Sequence, residues 1–444
     1  MKSKLALFGG NKIIKKPIKN KPYIDVNDIK LVGKLMEQGR FSRFVGSPIP
    51  GTIEDLDKKS NDLVINLKDD RYTFLGGAYV RAFEAKNATL VNADYAISVN
   101  SATSGIVTAL LALDLPDNSK VLTTPYSFSA TAAAIRLAKL QPVFCDIDIE
   151  TFNICPQELK KSIKENNIKC VVYVHWCGNA GDFDEVVKIC KKNKIFLIED
   201  SAQAPITLYK KKYLGTYGDI GIFSFNEPKN FMTGEGGMIV TSNKKYAVRS
   251  RLIRNHGEAI IDESFHKNLI NNTFGHNFRL TEIQAAIGLN QLKKSKKLGL
   301  IRSNNFKYLI KKITSLNSSY IKPQRITHLE TFYSYTAAFR WDSASSGVHR
   351  DIFCEALIKE GAPVFTGYPR LMSEQRLHSK YSNTNKTKNA QRLNKDEFFG
   401  FLCLGNPNGK LEMELIFKCI EKVLDNIDDL KKVKINNKII SLGR

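Results

Sequence analysis

Short apolar segments alternate with helical segments from about residue 80 to residue 241, and this alternation limits the possible folds of the chain most strongly. The first five apolar segments are YAISV, KVLTT, PVFCDI, KCVVYVHW and IFLIED. Strands that are apolar at almost every position are typical of parallel sheets with helices on both faces. The last two, IGIFSF and GMIVTS, have no helix between them, so one of them is expected to run antiparallel. The sequence therefore predicts an α/β fold with a mainly parallel sheet.

The pattern changes on both sides of this region and suggests three parts. Residues 1–75 are predicted to form an N-terminal extension and arm, because they are first basic and then, over 44–74, resemble an insertion. Residues 76–299 are predicted to form the large domain, and residues 300–444 a smaller α+β domain. Near that boundary Thr281 opens TEIQAAIGLNQL with a glutamine three places on, which predicts a capping box at a helix start.

Charge and composition exclude several classes of protein. The formal net charge is +23, but the lysines lie in short scattered clusters without interleaved aromatic residues. This favours anionic small substrates over nucleic acid as the partner. A nucleic-acid-binding protein stays open as an alternative. No apolar run approaches the length of a membrane span, and the apolar stretch near the N-terminus is too short for a secretory leader. The eight cysteines show no metal-binding spacing, so a cytoplasmic protein with reduced cysteines and no metal is expected.

Two candidate ligand-binding features follow predicted strands. The segment VNSATSG (99–105) joins a strand to a helix, and its small residues would let backbone N–H groups approach a phosphate. Small residues at such a turn are more often explained by plain helix capping. Asp200 ends the strand IFLIED, where a carboxylate needs a partner. It could be a helix cap, or it could hold a protonated ring nitrogen.

Two further features come later in the chain. Lys229 follows an apolar strand and precedes a Gly-rich turn, with Ser224 five residues earlier as a possible phosphate donor. A lone lysine at such a place is usually solvated. Asn277 and Arg279 lie just before the predicted capped helix, where turn chemistry is the ordinary explanation.

Together these features fit pyridoxal phosphate. That cofactor needs a lysine for a Schiff base, a carboxylate beside its pyridinium nitrogen and a cradle for its phosphate. Lys229, Asp200 and the 99–105 segment supply these chemistries. Phe128, in PYSFSATAA, could stack on the ring.

The order and spacing of several motifs resemble the DegT/StrS family of pyridoxal-phosphate-dependent sugar aminotransferases. The most specific motifs are FSFNEPKNFMTGEGGMIVT, IEDSAQA and NFRLTEIQAAIGLNQL, and the resemblance covers roughly residues 75–300. It implies fold type I, the architecture of aspartate aminotransferase. It implies catalytic roles for Lys229 as the Schiff-base lysine and for Asp200 as the partner of the ring nitrogen. The other implied cofactor-binding residues are Gln203 (ring hydroxyl), Ala102, Thr103 and Ser224 (phosphate), Phe128 (ring face) and Asn277 (phosphate of the neighbouring subunit).

The resemblance also implies an activity and an assembly. The expected reaction moves an amino group from glutamate or glutamine to a keto-sugar in amino-sugar or polysaccharide biosynthesis, and the keto-sugar is expected to be nucleotide-linked. The role of Asn277 implies a homodimer with shared active sites. Three positions depart from the family pattern, namely Ala102 in place of Gly, Asn226 in place of His and Gly367 in place of a His before Tyr-Pro. Two alternatives stay open: a sugar dehydratase, which has His in place of the lysine, and a non-catalytic pyridoxal-phosphate-binding regulatory protein.

Overall fold

The computed structural model describes residues 3–45, 55–63, 66–257, 274–328, 332–381 and 386–433. Residues 46–54 and 64–65 of the expected insertion lie outside the described residues. The helices are α1 (Val26–Glu37), α2 (Ala78–Val91), α3 (Ala102–Ala112), α4 (Ala130–Leu137), α5 (Pro156–Glu165), α6 (Phe183–Lys192), α7 (Lys244–Arg254), α8 (Glu282–Thr314), α9 (Ser343–Ser346), α10 (Arg350–Lys359), α11 (Lys388–Arg392), α12 (Lys410–Asp425) and α13 (Ile427–Leu430).

The strands form a large sheet, a small sheet and a short hairpin. They are β1 (Tyr95–Val99), β2 (Lys120–Thr123), β3 (Gln141–Phe144), β4 (Ile168–Val174), β5 (Phe196–Asp200), β6 (Leu208–Tyr209), β7 (Lys212–Tyr213), β8 (Ile220–Ser224), β9 (Gly237–Thr241), β10 (Ile321–Pro323), β11 (Ala337–Trp341), β12 (Val364–Phe365) and β13 (Phe398–Phe401). The large sheet has the order β1-β9-β8-β5-β4-β2-β3. The small sheet has the order β10-β11-β13-β12 and is antiparallel throughout.

The large sheet confirms the predicted architecture. Strands β3, β2, β4, β5 and β8 pair in parallel, whereas β9 runs antiparallel to both of its neighbours. A parallel crossover needs a dozen or more residues and usually a helix, and the loop 225–236 between β8 and β9 has no helix. The chain therefore reverses direction there.

Both faces of the large sheet are buried, which explains why its strands are apolar at almost every position. Ile97 and Val99 of β1 pack with Ile106 of α3 on one face. Ala96 of the same strand packs with Phe83 of α2 on the other face. Because successive side chains of a strand point to opposite faces, almost every side chain in a sheet covered on both sides is buried, and most of them are apolar.

Helix α8 connects the two sheets. The predicted capping box is confirmed, because Thr281 Oγ1 accepts a hydrogen bond from the Gln284 amide and the Thr281 amide donates one to Gln284 Oε1. The first half of α8 packs against α2, and Phe306 and Leu309 in its second half belong to the core around the small sheet. Residue 300, the predicted boundary between domains, lies inside this helix, and the division into domains stays a prediction.

The N-terminal segment packs onto the small sheet unit rather than standing apart. Leu5, Ile14 and Ile18 are buried in the core of that unit. Glu360, at the end of α10, accepts hydrogen bonds from the amides of Ala6 and Ile13. Residues from the two ends of the chain therefore share one core. No helix in the described ranges is long and apolar enough to cross a membrane.

Candidate active site

A cavity of about 970 Å³ lies at the carboxyl ends of the parallel strands. Its wall includes residues that follow four strands of the large sheet: 101–103 after β1, 127–131 after β2, 176–177 after β4 and 202–203 after β5. Ligands of open α/β sheets bind at this end of the strands. The opposite wall comes from residues near the small sheet, including 335–336 and 367–370.

Seven of the eight predicted site residues line this cavity. They are Ala102, Thr103, Phe128, Asp200, Gln203, Ser224 and Lys229. The fold therefore brings together segments that lie far apart in the sequence. The roles expected for these residues remain predictions.

The start of α3 provides the candidate phosphate site. Ser101 is the N-cap and forms a capping box with Ser104. The amides of Ala102 and Thr103 lie in the first turn, which leaves them without acceptors inside the helix. A Cβ on Gly237 would lie 2.7 Å from the Ala102 amide nitrogen, so β9 and α3 approach too closely for any larger residue. Helix N-termini of this kind bind anions.

Asp200 is buried in the cavity wall without an ion pair in the described part of the chain. Thr131 Oγ1 donates to Oδ2 at 3.1 Å, and the amide of Ala202 donates to Oδ1 at 3.2 Å. Burial raises the pKa of Asp200, and the hydrogen bonds and the charge of Lys229 oppose this shift. A cationic group placed beside this carboxylate in the cavity would stabilise its charged form.

Lys229 lies on a tight turn after β8. Its amide donates to the carbonyl of Asn226 at 2.9 Å, and Asn226 Nδ2 donates to Glu235 Oε1 at 2.6 Å. The side-chain amide of Asn226 thus joins the two sides of the loop. Asn226 is one of the positions that depart from the family pattern named above. The Nζ of Lys229 lies 4.6 Å from the centre of the Tyr335 ring.

Gln203 and Phe128 occupy different parts of the cavity. Gln203 Oε1 accepts a hydrogen bond of 2.7 Å from the amide of Cys177, which fixes its side chain against the wall. Phe128 is 64% exposed, although it is a large aromatic side chain beside a cavity. An exposed ring at this place is available to cover a flat ligand.

Asn277 does not line the cavity of its own chain. It is exposed on the segment before α8, and its Oδ1 accepts a hydrogen bond of 2.9 Å from Arg279 Nε. Its backbone pairs with Asn255. Its expected role toward a neighbouring subunit remains a prediction.

Several cavity residues were missed by the sequence analysis. They are Thr131, Trp176, Tyr335, Tyr368 and Arg370. Thr131 lies in the motif that contains Phe128 and could have been found from it. Tyr368 and Arg370 lie beside Gly367, in the Tyr-Pro motif that the resemblance singled out, and could have been found from it. Tyr335 lies in a segment where the sequence pattern gives no such indication.

Gly367 explains one departure from the family pattern. It has φ +92°, a conformation that favours glycine, and an added Cβ would lie 3.0 Å from Asn394 Oδ1 and 3.3 Å from the Tyr126 hydroxyl. A histidine at this position would be strained. The cavity wall here is therefore formed by backbone and by Tyr368.

The fold is that of the pyridoxal-phosphate enzymes of fold type I. The residues present fit this cofactor, because a lysine, a helix N-terminus and a buried carboxylate that forms no ion pair in the described ranges line one cavity. The structure of the aminotransferase PseC from Helicobacter pylori, which is involved in pseudaminic acid biosynthesis, superposes with a TM-score of 0.75 at 25% identity. That superposition covers 94% of this chain and 100% of PseC.

The family model of the DegT/DnrJ/EryC1/StrS aminotransferases matches residues 54–399, and the chain belongs to this family. It is 37% identical over 246 residues to the uncharacterized protein MJ1066 of Methanocaldococcus jannaschii, covering 54% of this chain and 62% of that protein. It is 34% identical over 247 residues to GDP-perosamine synthase of Escherichia coli O157:H7, covering 56% of this chain and 66% of that protein. The matched part thus spans less than two thirds of the length of these relatives.

Proposed function

We propose that the chain is a pyridoxal-phosphate-dependent aminotransferase that moves an amino group from glutamate or glutamine to a keto-sugar. The observation that carries this proposal is that Lys229 and the buried Asp200 line the same cavity. Burial raises the pKa of Asp200, and the charge of Lys229 is among the influences that oppose this shift.

Each part of the cofactor has a candidate binding site. The amides of Ala102 and Thr103 and the hydroxyl of Ser224 would hold the phosphate, and Phe128 would cover the ring. Gln203 would contact the ring hydroxyl, and Asp200 would keep the ring nitrogen protonated. When bound, the cofactor supplies a reactive aldehyde and a conjugated cationic ring that accepts electrons.

Lys229 would have two tasks in the reaction. Its amine would hold the cofactor in the resting enzyme. As a free amine it would move a proton to and from the substrate carbon as a general base and acid. A backbone hydrogen bond to Asn226 holds the turn that carries Lys229, which fixes the point from which its side chain reaches into the cavity.

The substrate class follows from charge and from the relatives. Nucleotide-linked sugars are anionic, and the formal net charge of +23 would attract them. The relative named GDP-perosamine synthase supports a sugar substrate. We also propose a homodimer in which Asn277 reaches the neighbouring cavity, since it is exposed and lies outside its own. The eight free cysteines support a cytoplasmic location.

The decisive experiment replaces Lys229 by alanine. We expect the wild type to show a visible absorbance with pyridoxal phosphate that glutamate or glutamine removes, and a keto-sugar to restore it. Lys229→Ala should lose this absorbance and at least about 10³-fold in turnover, because the amine acts in every step. Lys188→Ala, on the exposed face of α6, is the matched control and should behave as wild type. A Lys229→Ala variant with full activity would disprove the proposal.

The same assay separates the two alternatives. A sugar dehydratase would release a deoxy-sugar without a new amino group, which mass spectrometry of the product distinguishes. The resemblance associates that reaction with His at the position of Lys229, so the lysine favours transamination. A regulatory protein would bind the cofactor and leave glutamate and glutamine unchanged.

A further inference from the structure

Arg302 is a buried cation behind the turn that carries Lys229. It comes from the middle of α8 and has an exposed fraction of 4%. Burial lowers the pKa of Arg302 to about 10, so the guanidinium stays charged at neutral pH. No carboxylate in the described ranges forms an ion pair with it. A buried charge of this kind depends on the acceptors that its N–H groups find.

The acceptors of Arg302 are carbonyls from two segments that meet at the amine of Lys229. Nη2 donates to the carbonyl of Pro228 at 3.2 Å, and Nη1 donates to the carbonyl of Tyr335 at 3.3 Å. Pro228 directly precedes Lys229. The ring of Tyr335 lies 4.6 Å from the Lys229 Nζ. One guanidinium therefore binds the backbone next to Lys229 and the backbone of Tyr335, whose ring lies near the amine of Lys229.

A third segment closes the remaining side of the guanidinium. A Cβ on Gly405 would lie 3.0 Å from Nη2 and 3.1 Å from Cζ of Arg302, so this backbone lies against the guanidinium. Asn305, three residues further along α8, donates to the carbonyls of Leu404 and Asn408, each at 2.9 Å. The loop that contains Gly405 is thereby fixed, and Arg302 has little freedom to choose other acceptors.

We propose that Arg302 is a positioning residue that holds Lys229 in the orientation from which its amine can bind the cofactor. This inference rests on the proposed function, since it assumes that Lys229 is the cofactor-binding lysine. Lysine would be a poor replacement for Arg302. An ammonium group is a compact charge on a flexible stem and cannot present two N–H groups in one fixed plane.

Arg251 is a matched control for a purely structural role. It is also buried, and burial also lowers its pKa to about 10. It donates to the carbonyls of Leu56 at 2.6 Å and Lys58 at 2.9 Å. These acceptors do not line the cavity. Loss of either arginine should destabilise the protein, whereas only loss of Arg302 should affect Lys229.

The test measures how much bound cofactor is joined to Lys229. The amine of Lys229 adds to the aldehyde carbon of pyridoxal phosphate, the aldehyde oxygen leaves as water, and borohydride then delivers a hydride that makes the new C–N bond permanent. Peptide mass spectrometry gives the labelled fraction of Lys229 at saturating cofactor, without any measurement of turnover. The variants are Arg302→Met, Arg302→Lys, Arg251→Met and Arg251→Lys.

We expect Arg302→Met to reduce the labelled fraction about tenfold or more, because small displacements of a reacting group have effects of this size. Arg302→Lys should recover part of the loss, and both Arg251 variants should label as wild type. A wild-type fraction in Arg302→Met, or an equal loss in Arg251→Met, would overturn the inference. If Arg302→Met does not fold, a wild-type fraction in Arg302→Lys has the same meaning. An unlabelled Lys229 in the wild type would instead contradict the proposed function.

Discussion

At the scale of single residues, Asp200 shows how a site residue can oppose the stability of the fold that holds it. Its carboxylate is buried with two hydrogen bonds and no ion pair in the described ranges. Burial disfavours the charged form of such a group, and a cation placed directly beside it would offset this cost. A protonated ring nitrogen is the cation that the proposed cofactor would bring.

This arrangement predicts opposite effects of Asp200→Asn with and without cofactor. Because burial raises the pKa of Asp200 in the folded state above its ordinary 3.8, the folded protein holds the proton more tightly than the unfolded chain. Its stability then falls as the pH rises through the interval between the two values. Without cofactor, Asp200→Asn should be more stable than wild type at pH 7 by about 1–2 kcal/mol. The difference in stability between the two proteins should vanish below pH 3.8, the ordinary pKa of an aspartate.

Thermal unfolding of both proteins across this pH range, with and without pyridoxal phosphate, measures the effect. With cofactor the order should reverse, because the asparagine cannot pair with the ring nitrogen. Thr131→Val is a useful companion, since it removes one hydrogen bond to Asp200 and leaves the charge. A cofactor-free Asp200→Asn protein that is less stable than wild type at pH 7 would contradict this account.

At the scale of secondary-structure elements, two capping boxes allow a matched comparison. Ser101 caps α3 at the cavity wall, and Thr281 caps α8 outside it. The two caps have the same hydrogen-bond pattern. Only the first orients amides that are candidates for phosphate binding.

Ser101→Ala and Thr281→Ala should each lower the free energy of unfolding by about 1 kcal/mol, because each helix loses its cap. Only Ser101→Ala should also weaken binding of pyridoxal phosphate, since the start of α3 would no longer be held in place. Urea unfolding and fluorescence titration with the cofactor test the two parts. Equal effects of both variants on cofactor affinity would argue against a phosphate site at α3.

At the scale of the whole molecule, Glu360 joins the N-terminal segment to the C-terminal unit. It is fully buried, and it pairs with Lys422 at 2.8 Å in addition to its bonds with the amides of Ala6 and Ile13. Three groups from two parts of the chain thus share one carboxylate. The N-terminal segment would be difficult to keep in place without it.

Glu360→Gln should lower the free energy of unfolding by about 3–5 kcal/mol, because it leaves the buried charge of Lys422 unpaired. It should also make the N-terminal segment sensitive to proteases before the rest of the protein unfolds. Glu355→Gln, on the same helix, breaks only a pair with the half-exposed Lys359 and should change the stability by less than about 1 kcal/mol. If the two variants were equally stable, Glu360 would have no special part in holding the N-terminal segment.

The sequence predicted those features that depend on residues close together in the chain. The alternation of apolar strands and helices predicted the mainly parallel sheet, and the missing helix between β8 and β9 predicted the reversed strand. Lys229, Asp200 and Ser224 could be proposed because each follows an apolar strand, and parallel strands present these ends at one edge. The capping boxes are equally local. In each case the sequence pattern itself spans only a few residues.

Only the tertiary structure decided which distant segments complete the cavity. Tyr335 contacts Lys229 although more than a hundred residues separate them in the sequence. Arg302 binds the carbonyl of Pro228, next to Lys229, and the carbonyl of Tyr335. Backbone carbonyls are the same in every residue, so no sequence pattern shows which of them an arginine will reach. Likewise, nothing in the sequence of the predicted N-terminal extension indicates where it packs, and Leu5 and Ile14 are buried in the core around the small sheet. Such contacts depend on how whole elements pack, and the packing is settled by the chain as a whole.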